Sequence, residues 1–458
     1  MHYLEDLQAW SRRRDELIRE AENERLFRRP VRWVAVAALV AAVLLLMLAG
    51  ADPARADLTF TVNSTGDPGS GGCNSTECTL REAIALSNRV SGADTIRFVI
   101  PGDRVKTISP ASPLPPITEA VTIDGYTQPG ASPNTLAKGT NATLLVELDG
   151  SGAGVAADGL VIKASNVVVR GLVINGFDSD NIRIISTDGP TDDNHIEGNF
   201  IGTDPSGTQG GLGQAFGVDV IDGENNVVGG TTHASRNLIS GNGADGIFTG
   251  GDTTGTRIQG NLIGTKRDGK SPLGNADEGV DIDDAEGAIV GGATPATTNT
   301  IAFNELTGVV VTGRSTLGSS ILWNSVFSNG ELGIDLSDDG FADGPTDNDP
   351  ADADPGPNGL QNKPVITSAS SSGRATAIKG KLNSTPRETF VIQLFSNPGG
   401  DPEGKKFLGQ KTVTTDGNGD ASFSFKSKVR NGTVTATATN DATGDTSEFS
   451  SPRKVRRA

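Results

Sequence analysis

GVDVIDGENNVVGG at residues 217–230 returns as GVDIDDAEGAIVGG at 279–292, 62 residues later. Two neighbours move with it at the same offset: HIEGNFIGT at 195–203 becomes RIQGNLIGT at 257–265, and NLISGN at 237–242 becomes NTIAFN at 299–304. Inside this duplication, short in-out-in strands recur: Leu160/Ile162, Ile182/Ile184, Val218/Val220, Ile247/Thr249, Val280/Ile282, Val309/Val311 and Ile334/Leu336. Their first members lie 22 to 36 residues apart, so 62 residues make two coils. A period-two alternation buries one face of a strand, and stacking coils about 4.8 Å apart lines Val and Ile into a continuous core. Gly and Asn at strand ends, as in Gly198-Asn199 and Gly260-Asn261, allow the positive-φ turns between sides. A leucine consensus, a Trp-Asp period and the glycine-rich calcium nonapeptide are all missing. The pattern predicts an all-β chain whose centre, about residues 95–340, is a right-handed parallel β-helix.

Composition agrees with a turn-rich solenoid. Of 458 residues 60 are Gly, only 5 % are aromatic, and the net charge is −17. An acidic surface of that size excludes non-specific nucleic-acid binding, which needs cations for phosphate. Residues 1–33 read as a charged cytoplasmic segment, and Val34 to Ala51 run without a charge, long enough for a membrane or signal helix. Arg28, Arg29 and Arg32 precede that run, which places the N-terminus inside and the rest of the chain outside. Ala54-Arg55-Ala56 is a small-x-small cleavage pattern. Cleavage after Ala56 gives a secreted protein; retention gives one anchored in the membrane at the cell surface. Beyond residue 56 the only cysteines are Cys73 and Cys78, which in an oxidising compartment close a small loop as a disulfide.

The segment around them, residues 57–94, carries the one family likeness. After LTFTVNSTGDPGSGGCNSTEC begins a helix expected from Thr79 to Ser87, with Thr79 and Glu82 as its capping box. Cys78-Thr79-Leu80-Arg81-Glu82-Ala83 resembles the signature of the CSLREA-type domain of bacterial surface proteins, with Thr for Ser. VTIDGYTQPGA at 121–131 resembles the stretch downstream of the signature in that family. The resemblance implies an N-terminal cap on a right-handed parallel β-helix and an extracytoplasmic address. It attaches no catalytic residue.

After Leu336 the composition changes to Asp, Pro, Gly and Asn, and 341–363 reads as a linker. Its Asp343, Asp347, Asp349, Asp352 and Asp354 are hard oxygen donors at a spacing that suits Ca²⁺, although no cofactor is required by any motif. Residues 364–452 hold seven short alternating segments, which predict an immunoglobulin-like β-sandwich, and 453–458 form a basic tail.

Candidate chemistry lies in the residues between the buried pairs: Val161, Arg183, Asp219, Phe248, Asp281, Val310 and Asp335, expected on a solvated outer wall. Asp283 shares the face of Asp281, about 7 Å away. Two functions are open. One is a non-catalytic exported protein that binds polysaccharide or another cell-envelope component, although Trp323, Tyr126 and scattered Phe are the only stacking candidates, which counts against a strong sugar platform. The other is a polysaccharide lyase or glycoside hydrolase that uses Arg183, Asp219, Asp281 and Asp283 on an acidic glycan.

Overall fold

The computed structural model describes residues 57–69, 72–187, 189–213, 215–337, 344–372 and 375–457. The apolar run 34–51, the cleavage pattern at Ala56 and Asp343 lie outside the described residues. Among the described residues no helix is long and apolar enough to cross a membrane.

Three parallel sheets form a β-solenoid. The first has nine strands, from Thr59–Val62 and Asp94–Phe98 through His195–Glu197 and Arg257–Gln259 to Ser320–Leu322. The second has eight, from Lys106–Ile108 through Phe200–Ile201 and Leu262–Ile263 to Ser325–Phe327. The third has seven, from Leu160–Ile162 and Ile182–Ile185 through Val218–Glu224, Ile247–Thr254, Val280–Asp283 and Val309–Thr312 to Ile334–Ser337. Each strand pairs in parallel with the one a coil earlier and a coil later, as in Val218↔Ile182 and Val218↔Ile247. The inward residues Ile196, Val228, Ile258 and Val290 of the first sheet meet Ile201, Ile239, Ile263 and Ile301 of the second and the Val/Ile pairs of the third in one dry core. Each such side chain contributes about 1.5–3 kcal/mol by leaving water.

The corners show why the repeats read Gly-Asn. Gly198 and Gly260 take φ of 69° and 73°. Asn199 and Asn261 do not adopt a left-handed conformation; their task is different from the one expected of them. Buried Asn199, Asn237, Asn261, Asn299 and Asn324 stack between the first and second sheets. Their amides donate to the carbonyls of Val169, Ile196, Val228, Ile258 and Val290 at 2.7–2.9 Å. All but Asn324, the last, also meet the next carboxamide oxygen along the stack, as in Asn237 to Asn261 at 3.0 Å. A second ladder, Asn242, Asn275, Asn304 and Asn329, runs between the second and third sheets with rungs of 2.8–2.9 Å.

Both ends of the solenoid are covered. At the start lies the helix Leu80–Ser87, with the Thr79/Glu82 capping box in place. It puts Leu80, Ala83 and Ile84 onto the core. Arg81 grips Asp67 with two 2.8 Å bonds, and Cys73–Cys78 is a disulfide. At the other end stands a β-sandwich of two four-stranded sheets. One sheet holds Val365–Ser371, Thr376–Asn383, Asp420–Ser427 and Arg456–Arg457; the other holds Thr389–Asn397, Lys406–Thr414, Thr433–Asn440 and Arg453–Lys454. The basic C-terminal residues thus supply a short strand to each sheet.

The sandwich takes hydrogen-bond donors that the last coil leaves open. Ile321 N–H goes to Thr446 Oγ1, Trp323 N–H to Gln393 Oε1, Val326 N–H to the Gly404 carbonyl and Ser328 N–H to Asp401. Asn329 donates its N–H and its side-chain amide to Glu403, at 2.9 and 2.7 Å, so the second ladder ends on a carboxylate. Trp323 lies 4.5 Å from Phe407 between ring centroids. The segment 344–363, read from composition as a spacer, is a staple. Its Asn358 side chain bonds Ser319 on the solenoid and Thr446 on the sandwich, and Lys363 pairs with Glu448 at 2.6 Å. Against the reading that no helix forms there, Pro357–Leu360 make a short 3-10 turn, and composition does not reveal the side-chain amides that tie the segment down.

Asn261→Ala removes the rungs to Asn237 and Asn299 and one donor to the Val228 carbonyl, which costs about 2–3 kcal/mol, read as a lower midpoint in chemical denaturation. Glu403 is 3 % exposed, and burial followed by the charge of Asp401 pushes its pKa up to about 8. The folded protein therefore holds a proton that the unfolded chain releases between about pH 4.5 and pH 8, and stability falls as pH rises through that window. Glu403→Gln flattens this slope in thermal melts taken across it.

Candidate functional site

The strand registers place Val161, Arg183, Asp219, Phe248, Asp281, Val310 and Asp335 opposite one another in a single outward column of the third sheet. Arg183 and Asp219 are direct neighbours, 3.3 Å apart from Nε to Oδ2. Phe248 separates Asp219 from Asp281. Asp283 stands two residues further along and accepts the Thr312 hydroxyl at 2.9 Å.

The expected solvated wall is not what the structure shows. Asp219, Asp281 and Asp335 are at most 1 % exposed, and Phe248 is buried too. The residues that lead into each strand lie beside the column. Phe216 stacks on Phe248 at 5.2 Å. Asp158 and Asp180 join Arg183 and Asp219 in one group, with Arg183 Nη1 3.9 Å from Asp158. Asp245, Asp277 and Glu278 each bring a carboxylate oxygen within 4.8 Å of the others, near Asp281. Asp158, Asp180, Asp245 and Glu278 all stand two positions before the first strand residue of their coil. That recurrence was visible in the sequence and carries the groups that reading the strands alone missed.

Burial sets the protonation chemistry. Desolvation, then the charges of Asp219 and Asp158, pushes Asp180 well above the usual carboxylate range. Desolvation with Asp277 and Asp281 does the same to Asp245, and desolvation with Asp245 to Glu278. Asp219 is pushed up to about 6 by burial, against the pull of the Arg183 guanidinium. In such groups burial and like charge favour the protonated form more than in a solvated carboxylate. Arg183 is flanked by the carboxylates of Asp158 and Asp219.

Two carboxylate groups can offer hard oxygen ligands to a metal ion: Asp245/Asp277/Glu278, and Asp349/Asp352/Asp354 in the staple. Of the five aspartates expected to act together, Asp347 is exposed and outside this second group. Asp352 accepts the Asn362 N–H at 2.6 Å and the Ser384 hydroxyl at 2.8 Å, and burial pushes its pKa up to about 6.

A groove of about 340 Å³ lies elsewhere, over the turns after successive second-sheet strands. Gly150, Gly176 and Phe177 line it, with Asp178, Val155 and Leu212 at its sides. Val155 is 92 % exposed. The stacking candidates Trp323 and Tyr126 are engaged within the protein: Trp323 packs on Phe407, and the Tyr126 hydroxyl donates to the Gly198 carbonyl at 2.8 Å.

Arg183→Met leaves Asp219 buried beside two further acids, which costs about 3–5 kcal/mol in unfolding free energy. The loss shrinks in the Asp219→Asn background, a coupling that a double-mutant cycle measures. Sequence comparison finds no matching protein-family model and no matching curated protein, and what the chain does must be read from its own residues.

Proposed function

We propose that this chain is an exported, non-catalytic surface protein. In this reading it is a right-handed parallel β-helix of the CSLREA type with an immunoglobulin-like sandwich at its tip, and it binds polysaccharide or another cell-envelope component. The observation that carries the reading is the joint. Thr446, Gln393, Gly404, Asp401 and Glu403 close the last coil strand by strand, which makes one stiff body of solenoid and sandwich. A rod of this kind holds binding surfaces at a fixed distance and orientation. The Cys73–Cys78 disulfide supports an oxidising compartment outside the cytoplasm, and an uncleaved apolar run at 34–51 would tether the rod to the membrane. The groove beside Val155 and Leu212 offers one contact surface along its length.

The same proposal gives Ca²⁺ a structural place at Asp349, Asp352 and Asp354, where it would tighten the staple between the two parts. The lyase or hydrolase alternative loses ground because Arg183 is held by Asp158 and Asp219 and because the carboxylates of the column are buried.

Purified residues 57–458 are expected to be retained on a polysaccharide resin while releasing no reducing ends and no unsaturated product absorbing in the ultraviolet, with or without Ca²⁺. Product release that vanishes in the Asp281→Asn/Asp283→Asn variant would overturn the non-catalytic reading. Ca²⁺ is expected to raise the melting temperature of the parent protein and to leave that of Asp352→Asn unchanged.

A further inference from the structure

Charge is distributed unevenly along the chain. Residues 364–458 carry 14 Lys and Arg against 8 Asp and Glu, a net of +6, whereas residues 57–363 carry 16 against 40, a net of −24. Part of the positive charge is gathered on one surface. The sheet that contains Thr389–Asn397 faces the solenoid through Gln393 and Phe407, which both meet Trp323, so its partner sheet looks away from the rod.

On that far sheet the strands alternate cleanly. Ala377, Lys379 and Lys381 are exposed on one strand, and Ser422, Ser424 and Lys426 on the next. Register sets Lys426 opposite Ala377, Ser424 opposite Lys379 and Ser422 opposite Lys381. On the other side Ser370 lies between Ala377 and exposed Arg456. Lys428 and Arg430 continue the exposed alternation past the strand end. Neighbouring strands are about 4.8 Å apart and alternate residues about 7 Å, so the cations form a flat lattice with hydroxyls between them. Among the described residues of these rows the carboxylate is Asp420, which sits at one end and takes the Asn383 amide at 2.9 Å.

We propose that this basic sheet face is the docking surface for a linear anionic glycan. The inference rests on the binding function proposed above and names its site and ligand chemistry. A lattice of ammonium and guanidinium groups with intervening hydroxyls matches a chain that carries one carboxylate per repeat and hydroxyls elsewhere. The rest of the body, at −24, repels such a chain, so the field steers it to this end of the molecule. These exposed rows carry no aromatic ring that would stack nucleic-acid bases, and their one large apolar side chain, Val365, is at an edge.

The test measures binding of the full-length protein to immobilised polygalacturonate and to a neutral glucan, at low and high salt. It compares the parent with Lys379→Ser/Lys381→Ser/Lys426→Ser, whose changes are all exposed, and with the matching triple Lys→Arg variant. Polygalacturonate binding is expected to weaken at least tenfold in the Ser variant, to survive in the Arg variant and to fall with salt, with melting temperatures unchanged. Undiminished binding by the Ser variant overturns the face assignment and leaves the glycan-binding function standing. Preference for the neutral glucan overturns the anionic ligand alone. Failure to bind either polymer overturns both. Low-salt self-association lost in the Ser variant, without glycan binding, assigns the face instead to the acidic solenoid of a second copy.

Discussion

A parallel solenoid with short strands must satisfy its backbone at the corners, and this constraint governs the rest of the structure. Strands of two or three residues, such as Phe200–Ile201 and Leu262–Ile263, make few ladder bonds of their own. The backbone N–H groups at the bends, such as those of Leu172, Asn199 and Asn261, lie in dry protein, where an unpaired donor costs about 1–3 kcal/mol. The asparagine ladders resolve this. A carboxamide within the stack, such as that of Asn299, accepts the corner N–H of Asn261 and donates to the strand carbonyl of Ile258 and to the next carboxamide, so a side chain does the work of a missing strand residue. Glycine at the preceding position is the second half of the solution. At Gly198 a Cβ would strike the Tyr126 hydroxyl, and the φ of 69° disfavours any other residue.

A ladder that works by repetition has an end problem, since its last rung has no next coil. The same holds for the exposed strand edges, which invite another chain to pair. Here the sandwich supplies the missing partners. Glu403 takes the place of the next asparagine beneath Asn329, and the Val326–Gly404 bridge continues the second sheet by one antiparallel step. Substituting a carboxylate for a carboxamide has an electrostatic consequence. Glu403 is buried next to Asp401, and the position favours its neutral form. The closure of the solenoid is therefore tied at this joint to proton concentration.

The sequence exposed the part of the design that repeats and hid the part that does not. The 62-residue duplication, the in-out-in pairs and the outer column from Val161 to Asp335 are properties of a two-residue period, and the registers place them as the pattern demands. The capping box at Thr79 and Glu82 was equally readable, because both partners lie within four residues. Burial of the column was not readable from the strands. Asp219 is enclosed by Asp180 and Arg183, which come from the preceding coil, and alternation along a strand carries no information about turns stacked beside it. The staple was hidden for a related reason. Asn358 acts through partners 39 and 88 residues away, a relation that local composition does not encode.

These features together explain how an acidic chain tolerates so many carboxylates near one wall. Asp180, Asp245 and Glu278 stand in groups where burial and like charge favour the protonated form. Arg183 compensates one group directly, yet Asp219 stays above the usual carboxylate range for want of water. Residues 57–363 carry a formal net charge of −24, while the lysines of the far sandwich sheet stand apart from it. A molecule charged in this way has a long-range polarity along its chain, which short-range packing alone does not require. The charge separation is thus the feature least explained by folding and most economically explained by a ligand.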